Sequence, residues 1–347
     1  MIAEVRLQQY RSHKDSFFTF SPGVNIIIGP NGSGKTNLLE ALFVACSGRS
    51  YRAPDSELIM HHKKWARIDL DTFNTKRVVK IEPLKKDFII DGKTYHRLGS
   101  NQIIPTVLFE PSHTNLITGS PEIRRNYLDN ILNNIKPGFK KTRNDYSKTL
   151  RQRNYLLKSG TANKINIFPW NVRLSHLGGV IAACRTELIK DLGDNISDVY
   201  GAISGRKELI SLRYLSNIGF GSYESQMLSK LEQNMPKDLI RLHTSYGPHR
   251  DDLEILIDNK QPSFIASRGE TRTIAIALKT LEAENIQKHL GVEPIIFLDD
   301  VFSELDQKRS ATLASLIEDR QTVITTTVLV KNLIPKNIIR IENEPIN

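Results

Sequence analysis

The residues Gly29-Pro30-Asn31-Gly32-Ser33-Gly34-Lys35-Thr36 follow directly on the apolar run Val24 to Ile28. Glycines at this spacing let backbone N–H groups close around phosphate oxygens, and the N-terminus of a following helix adds its positive dipole end. Lys35 is placed to reach the β and γ phosphates of a nucleotide, and Thr36 to offer its hydroxyl to Mg²⁺. A second stretch, PIIFLDD at 294–300, ends an apolar run in two acids. Asp299 has the position of the acid that holds Mg²⁺ in a P-loop ATPase, and Asp300 that of the group that orients or deprotonates the attacking water. A third, Ser267-Arg268-Gly269-Glu270, opens a long helical pattern, where a small hydroxyl and a glycine favour an anion. Ser303-Glu304-Leu305-Asp306 follows the two acids after Val301 and Phe302.

These groups need a scaffold that brings both ends of the chain together. The first third reads as short strands around one helix over residues 35–48, with Gly48 as its stop and Asp91-Gly92 as a hairpin turn. From Pro121 to about Pro236 the apolar spacing becomes helical, with Ser120-Pro121-Glu122 as a helix start. Breaks are expected at Pro137-Gly138, Ser159-Gly160, Pro169 and Gly178-Gly179. The last third alternates strand, helix and strand, which implies a parallel sheet, with TVITTTV at 322–328 as its final strand. The expected division is an α/β head from residues 1–120 and 237–347, interrupted by a helical lobe at 121–236.

Composition narrows the class. The 347 residues are 39% hydrophobic and 25% charged, as in an ordinary globular protein. No apolar run approaches membrane-span length, and the opening MIAEVRLQQYR has no signal-peptide core, so a cytoplasmic setting is expected. Cys46 and Cys184 fit no metal spacing and read as small buried hydrophobes. The net charge of +10 fits a polyanionic partner. It is concentrated between Pro121 and Gly160, where ten basic residues, among them Arg124, Arg125, Lys140, Lys141 and Arg143, face three acids. These five are the candidate DNA contacts.

A P-loop, a serine–glycine signature, paired aspartates and Ser-x-Leu-Asp, in that order, resemble the ABC-type ATPases. In that class the signature of one subunit covers the ATP on its partner's P-loop, so ATP joins two heads. Transporter subunits carry Asp-Glu after the strand and a histidine after the last one, whereas this chain has Asp299-Asp300 and Thr325 to Thr327. Members of the chromosome-organising type insert a long coiled coil where this chain has only a compact lobe. Within the class the chain is similar to the RecF family over nearly its whole length. The motifs that carry the likeness are LQQYRSH (7–13), GRSYRAPDSELI (48–59), LITGSPEIRRNYLD (116–129), YGPHRDDLEI (246–255) and FLDDVFSELD (297–306).

The resemblance implies a P-loop head of the ABC/SMC type with an inserted, mainly helical lobe and no long coiled coil. It further implies ATP and Mg²⁺ as cofactors and an ATP-dependent homodimer that clamps double-stranded DNA near gaps or single-/double-strand junctions. Weak, DNA-stimulated hydrolysis would reopen it. Partnership with RecR and RecO in loading RecA, and a part in replication and SOS induction, belong to the same implication. Arg11 and Arg52 match positions near the nucleotide in related heads, with contact to DNA as the alternative for either. Two departures stand out. Glu270 replaces the family's glutamine, and its carboxylate would repel a γ-phosphate unless protonated, turned away or paired, with Arg272 as the candidate partner. Ser112-His113 replaces acids before the lobe, which leaves a nucleotide-gated module with negligible turnover as the alternative to an ATPase. A transporter-type motor is the more distant alternative.

Overall fold

A computed structural model describes residues 1–219, 222–330 and 333–342. Its contacts divide the chain into two units. The first comprises Met1–His113, Ala202–Gly205 and Arg272–Asn347, and the second Thr114–Gly201 and Arg206–Thr271.

In the first unit, alternating apolar residues build an antiparallel sheet of β1 (Ile2–Tyr10), β2 (His13–Thr19), β4 (Ala66–Thr72), β5 (Lys76–Glu82), β6 (Lys85–Ile90) and β7 (Lys93–Tyr95). Along β4 each second residue is buried, the signature of a strand with one face on the core. The β6–β7 hairpin turns at Asp91 (φ 46°) and Gly92 (φ 82°), the two left-handed residues that such a tight turn needs.

A second sheet in this unit is wholly parallel, in the order β13 (Asn337–Arg340), β3 (Val24–Ile28), β12 (Thr322–Thr326), β11 (Ile295–Asp299) and β8 (Thr106–Phe109). Every residue of β11 and β12 is buried, as expected of a sheet covered on both faces. Helix α1 (Lys35–Ser47) ends at Gly48 (φ 81°), and its Leu38, Leu39 and Leu42 join one core with residues of both sheets. The free thiol of Cys46 lies in that core, its pKa pushed up to about 12 by burial. The chain does not end its sheet at 322–328: β13 adds to β3 beyond it. A short 3₁₀ turn covers Phe302–Glu304, and a helix begins at Gln307 with the Asp306 carboxylate capping the Arg309 N–H at 2.9 Å.

The second unit carries α2 (Asn115–Thr118), α3 (Pro121–Ile135), α4 (Phe139–Lys158), α5 (Lys164–Gly193), most of α6 (Ile196–Ser204), β9 (Ile210–Leu215), α7 (Tyr223–Gln233), α8 (Met235–Arg241), β10 (Asp252–Ile257) and α9 (Pro262–Ile265). Helix α10 (Arg268–Leu290) begins here, and α11 (Gln307–Ile317) belongs to the first unit. The expected breaks at Pro169 and Gly178-Gly179 are absent, since α5 runs through both for 30 residues. A Cβ on Gly178 would lie 2.7 Å from the Met227 sulfur, and one on Gly179 3.3 Å from the Glu224 Cβ. These glycines admit α7 rather than stop α5. The unit extends to Thr271, past Pro236, because β10 pairs antiparallel with β9.

The polar residues of this lobe hold one another. Buried Arg153 donates to Asp238, Asn171 and Thr244 at 2.7–2.8 Å, and buried Arg185 to both oxygens of Asp129. Asp251 accepts from Tyr214, Tyr223 and Ser216. His249 lies 2.6 Å from the Tyr146 hydroxyl through Nδ1 and 3.2 Å from the Thr244 carbonyl through Nε2. Burial lowers its pKa from 6.5 to about 4. The unfolded chain therefore takes up a proton that the folded one refuses. Stability falls as pH drops through that interval, by on the order of 3 kcal/mol once complete. Thermal unfolding at successively lower pH should show this decline, and His249→Gln should flatten it.

Candidate nucleotide-binding site

The nucleotide loop lies at the carboxyl ends of the parallel strands. It leaves β3 at Gly29 and enters α1 at Lys35. Gly32 (φ 82°) and Gly34 (φ 97°) adopt the left-handed backbone that turns the loop, which is costly for other residues. A side chain at Gly34 would also meet the Ser12 hydroxyl at 2.7 Å. The Lys35 ammonium is buried and donates 2.8 Å hydrogen bonds to the carbonyls of Gly29 and Pro30, spanning the loop's interior.

The paired acids arrive from β11. Asp299 Oδ1 accepts 2.8 Å hydrogen bonds from the Thr36 and Thr325 hydroxyls, and Oδ2 accepts from the Tyr51 hydroxyl at 3.2 Å. The start of α1 and the end of β12 thus meet the Asp299 carboxylate at the end of β11. Asp300 follows in the left-handed region (φ 52°), which aspartate tolerates better than bulkier or β-branched residues. Its N–H donates to the Thr325 hydroxyl at 3.0 Å, and its buried Oδ1 has no hydrogen-bond partner. The buried Ser33 hydroxyl likewise has none.

These open valences, beside the Thr36–Asp299 pair, fit a nucleotide and a hard cation. No cluster of three or more His, Cys, Asp or Glu with metal-holding geometry occurs among the described residues. Mg²⁺ in nucleotide sites is commonly held by one or two protein oxygens together with phosphate and water.

Of the neighbours of the site, Tyr51 and Glu110 carried no individual signal in the sequence, whereas Thr325, Ser112-His113, Arg11 and Arg52 did. Tyr51 and Thr325 position Asp299. Glu110 feels Asp299: burial first, and then that charge, raise its pKa against the 2.5 Å hydrogen bond from Ser112. His113 accepts from the Glu110 N–H at 3.2 Å, and burial holds its pKa far down. Arg11 is fixed in a two-pronged ion pair with buried Glu40 on α1 at 3.0 and 3.2 Å, whereas Arg52 is exposed.

The signature residues lie in the second unit, at the start of α10. Ser267 donates both its N–H (2.7 Å) and its hydroxyl (2.8 Å) to one oxygen of Glu270. The other oxygen is ion-paired with Arg206. Hydrogen bonds from Ser267, with Arg206 assisting against desolvation, lower the Glu270 pKa. Gly269 is half-buried beside them. The expected partner Arg272 instead pairs with Glu304 at 2.8 Å.

The five candidate DNA contacts divide. Arg124 grips both oxygens of Asp252 at 2.7 and 2.8 Å, Arg125 donates to the Asp251 carbonyl at 2.9 Å, and Arg143 lies 3.7 Å from Asp129. These three are half-buried and serve the lobe's own ion-pair system. Lys140 and Lys141 are exposed, as are Lys148, Arg151 and Lys158 further along α4, with Tyr155 67% exposed among them. Helical spacing sets this group on one face of α4.

The profile of the RecF/RecN/SMC N-terminal domain family matches residues 1–338. Relatives named DNA replication and repair protein RecF include that of Ruminiclostridium cellulolyticum, 33% identical over 94% of this chain and 92% of its own length, and that of Streptococcus thermophilus, with the same identity and coverage. Among solved structures, one described as the recombination mediator RecF-ATPrS in the RecFOR pathway has a TM-score of 0.89 at 28% identity, covering 98% of this chain and 96% of that one. A second, described as RecF-ATP, has a TM-score of 0.86 at 29% identity, covering 95% of this chain and 92% of that one. An Smc head bound to a ScpA domain, 19% identical with a TM-score of 0.55 over 95% of this chain and 90% of that one, shares the fold. The α/β head with its inserted helical lobe thus belongs, with the rest of the chain, to the RecF family.

Proposed function

We propose that the protein is a recombination mediator of DNA gap repair whose binding of Mg²⁺-ATP joins two heads around duplex DNA. The observation that carries this reading is the meeting of Lys35, Thr36 and Asp299 at one loop, with Asp300 next along the chain, in a protein that matches nucleotide-associated RecF over nearly its whole length. Gly29 to Gly34 would wrap the phosphates, Lys35 would leave the loop carbonyls for them, and Thr36 with Asp299 would hold Mg²⁺. The cation supplies neutralisation of the phosphate charge. Asp300 would orient water for slow hydrolysis, and Ser267 with Gly269 would complete the partner's site. Residues 1–113 and 272–347 would form most of the head, with RecR and RecO as partners and RecA as the protein loaded.

The exposed face of α4 is the proposed DNA surface. Contacts from Lys140, Lys141, Lys148, Arg151 and Lys158 would be to phosphate, weak in sequence preference and sensitive to salt. Fluorescence anisotropy of duplex DNA with Mg²⁺-ATP tests this. The Lys140→Ala/Lys141→Ala variant should lower the slope of log affinity against log salt by about 2, near 0.9 for each phosphate contact. An unchanged slope would place the DNA elsewhere.

Glu270 has a particular consequence within this reading. The two Ser267 donors that a partner's γ-phosphate would use are already taken by a carboxylate held also by Arg206. Glu270→Gln preserves the helix cap but removes the charge. It should tighten ATP-driven dimerisation about tenfold, the scale of roughly 1.4 kcal/mol at one charge contact. Sedimentation against protein concentration reads this directly, and a variant no tighter than the parent would separate the signature from the phosphate.

A further inference from the structure

At the amino ends of the parallel strands, opposite the nucleotide loop, lies a second, partly open pocket. Within the first unit, a cavity of about 370 Å³ lies among the segments that lead into β3, β8, β11 and β12. Its volume is that of a small-molecule pocket. Five residues of strand, roughly 16 Å at about 3.3 Å each, separate this edge of the sheet from the nucleotide loop. Ile103, Ile104, Pro105 and Val292 give it apolar walls, and Glu293 and Asp319 also line it.

Arg77 lines the cavity as well, from the inward face of β5 that it shares with Val79 and Ile81. An arginine is out of place there, and it is only 8% exposed. Its Nη1 lies 3.4 Å from the Ala45 carbonyl near the end of α1, a long contact, and its buried Nε has no acceptor. No carboxylate forms an ion pair with it among the described residues. Asp91 acts on it only through space and accepts the Lys76 N–H instead. Removing a guanidinium from water without a counterion is costly, and its planar fork matches a carboxylate best.

We propose that this cavity binds a small monocarboxylate with an apolar body, its carboxylate on Arg77 and its chain on the walls. A single buried cation calls for a single anionic head, and Glu293 and Asp319 disfavour polyphosphates. The cavity is separate from the nucleotide loop, so the two sites can be tested apart.

Ligand-observed saturation-transfer NMR on the full chain, with hexanoate and hexanamide as observed probes and inorganic phosphate added as a competitor of hexanoate, tests this. Hexanoate should bind at least about tenfold more tightly than either control, the scale of one charge-assisted pair. Arg77→Met should lose that preference while still binding ATP, and Arg77→Lys should keep only part of it. Lys35→Ala should leave hexanoate binding unchanged. Equal binding of hexanamide, tighter binding of phosphate, an undiminished response in Arg77→Met, or a loss in Lys35→Ala would each overturn the proposal.

Discussion

Replacing Lys35 by alanine is expected to weaken ATP binding by about 100-fold, the scale of two charge-assisted hydrogen bonds lost in a buried site. The effect has two sources. The ammonium is the loop's only lysine, and it also ties the Gly29 and Pro30 carbonyls together at 2.8 Å before any phosphate arrives. Without it those carbonyls lose a donor and the loop loses its internal brace. Equilibrium binding of a fluorescent ATP analogue measures the loss, and sedimentation with gapped duplex measures its consequence. On the proposed function, the parent should dimerise on DNA with ATP, and the variant should remain monomeric and free of DNA at the same ATP concentrations. If it dimerises and carries DNA as the parent does, nucleotide is not what joins the heads.

Asp300→Asn is the sharper test of chemistry. Asparagine is among the few residues comfortable at a left-handed φ, so the substitution keeps the backbone at φ 52° and removes only the charge. ATP should bind as before, while turnover falls by about 10²–10³, the range of general-base contributions. The ATP-bound dimer should then outlive that of the parent. Phosphate release at saturating ATP, beside dimer lifetime, separates the two effects. Turnover close to the parental rate would remove Asp300 from the reaction and favour a water positioned by other groups.

What the sequence disclosed was what local spacing controls. The P-loop is a contiguous run whose glycines, lysine and threonine have meaning only at fixed offsets. The paired acids end an apolar strand, a contiguous pattern that is legible without knowing any distant partner. Partners distant in sequence were harder to read. Arg124 and Arg125 look like free cations until β10 brings Asp251 and Asp252 beside them. Glu270 finds Arg206, 64 residues away, rather than the nearby Arg272. Short strands were missed for a related reason. The four residues of β8 and of β13 carry too little pattern to stand out, and pairing with other strands defines them. In α5, tertiary packing on Gly178 and Gly179 overrides the local tendency of glycine to end a helix.

The parallel sheet also sets a timetable for synthesis. Strand β3, which leads into the P-loop, has β12 and β13 as its neighbours in the sheet among the described residues. Those strands begin at Thr322 and Asn337. On a ribosome adding about 5–20 residues per second, the roughly 300 residues between them take about 15–60 s to make. Throughout that interval β3 has both edges open, although the β1–β2 hairpin beside it in sequence can already form. The nascent chain must therefore carry an unpaired, buried-type strand until its last tenth emerges, a period in which a holding chaperone would have the most to protect.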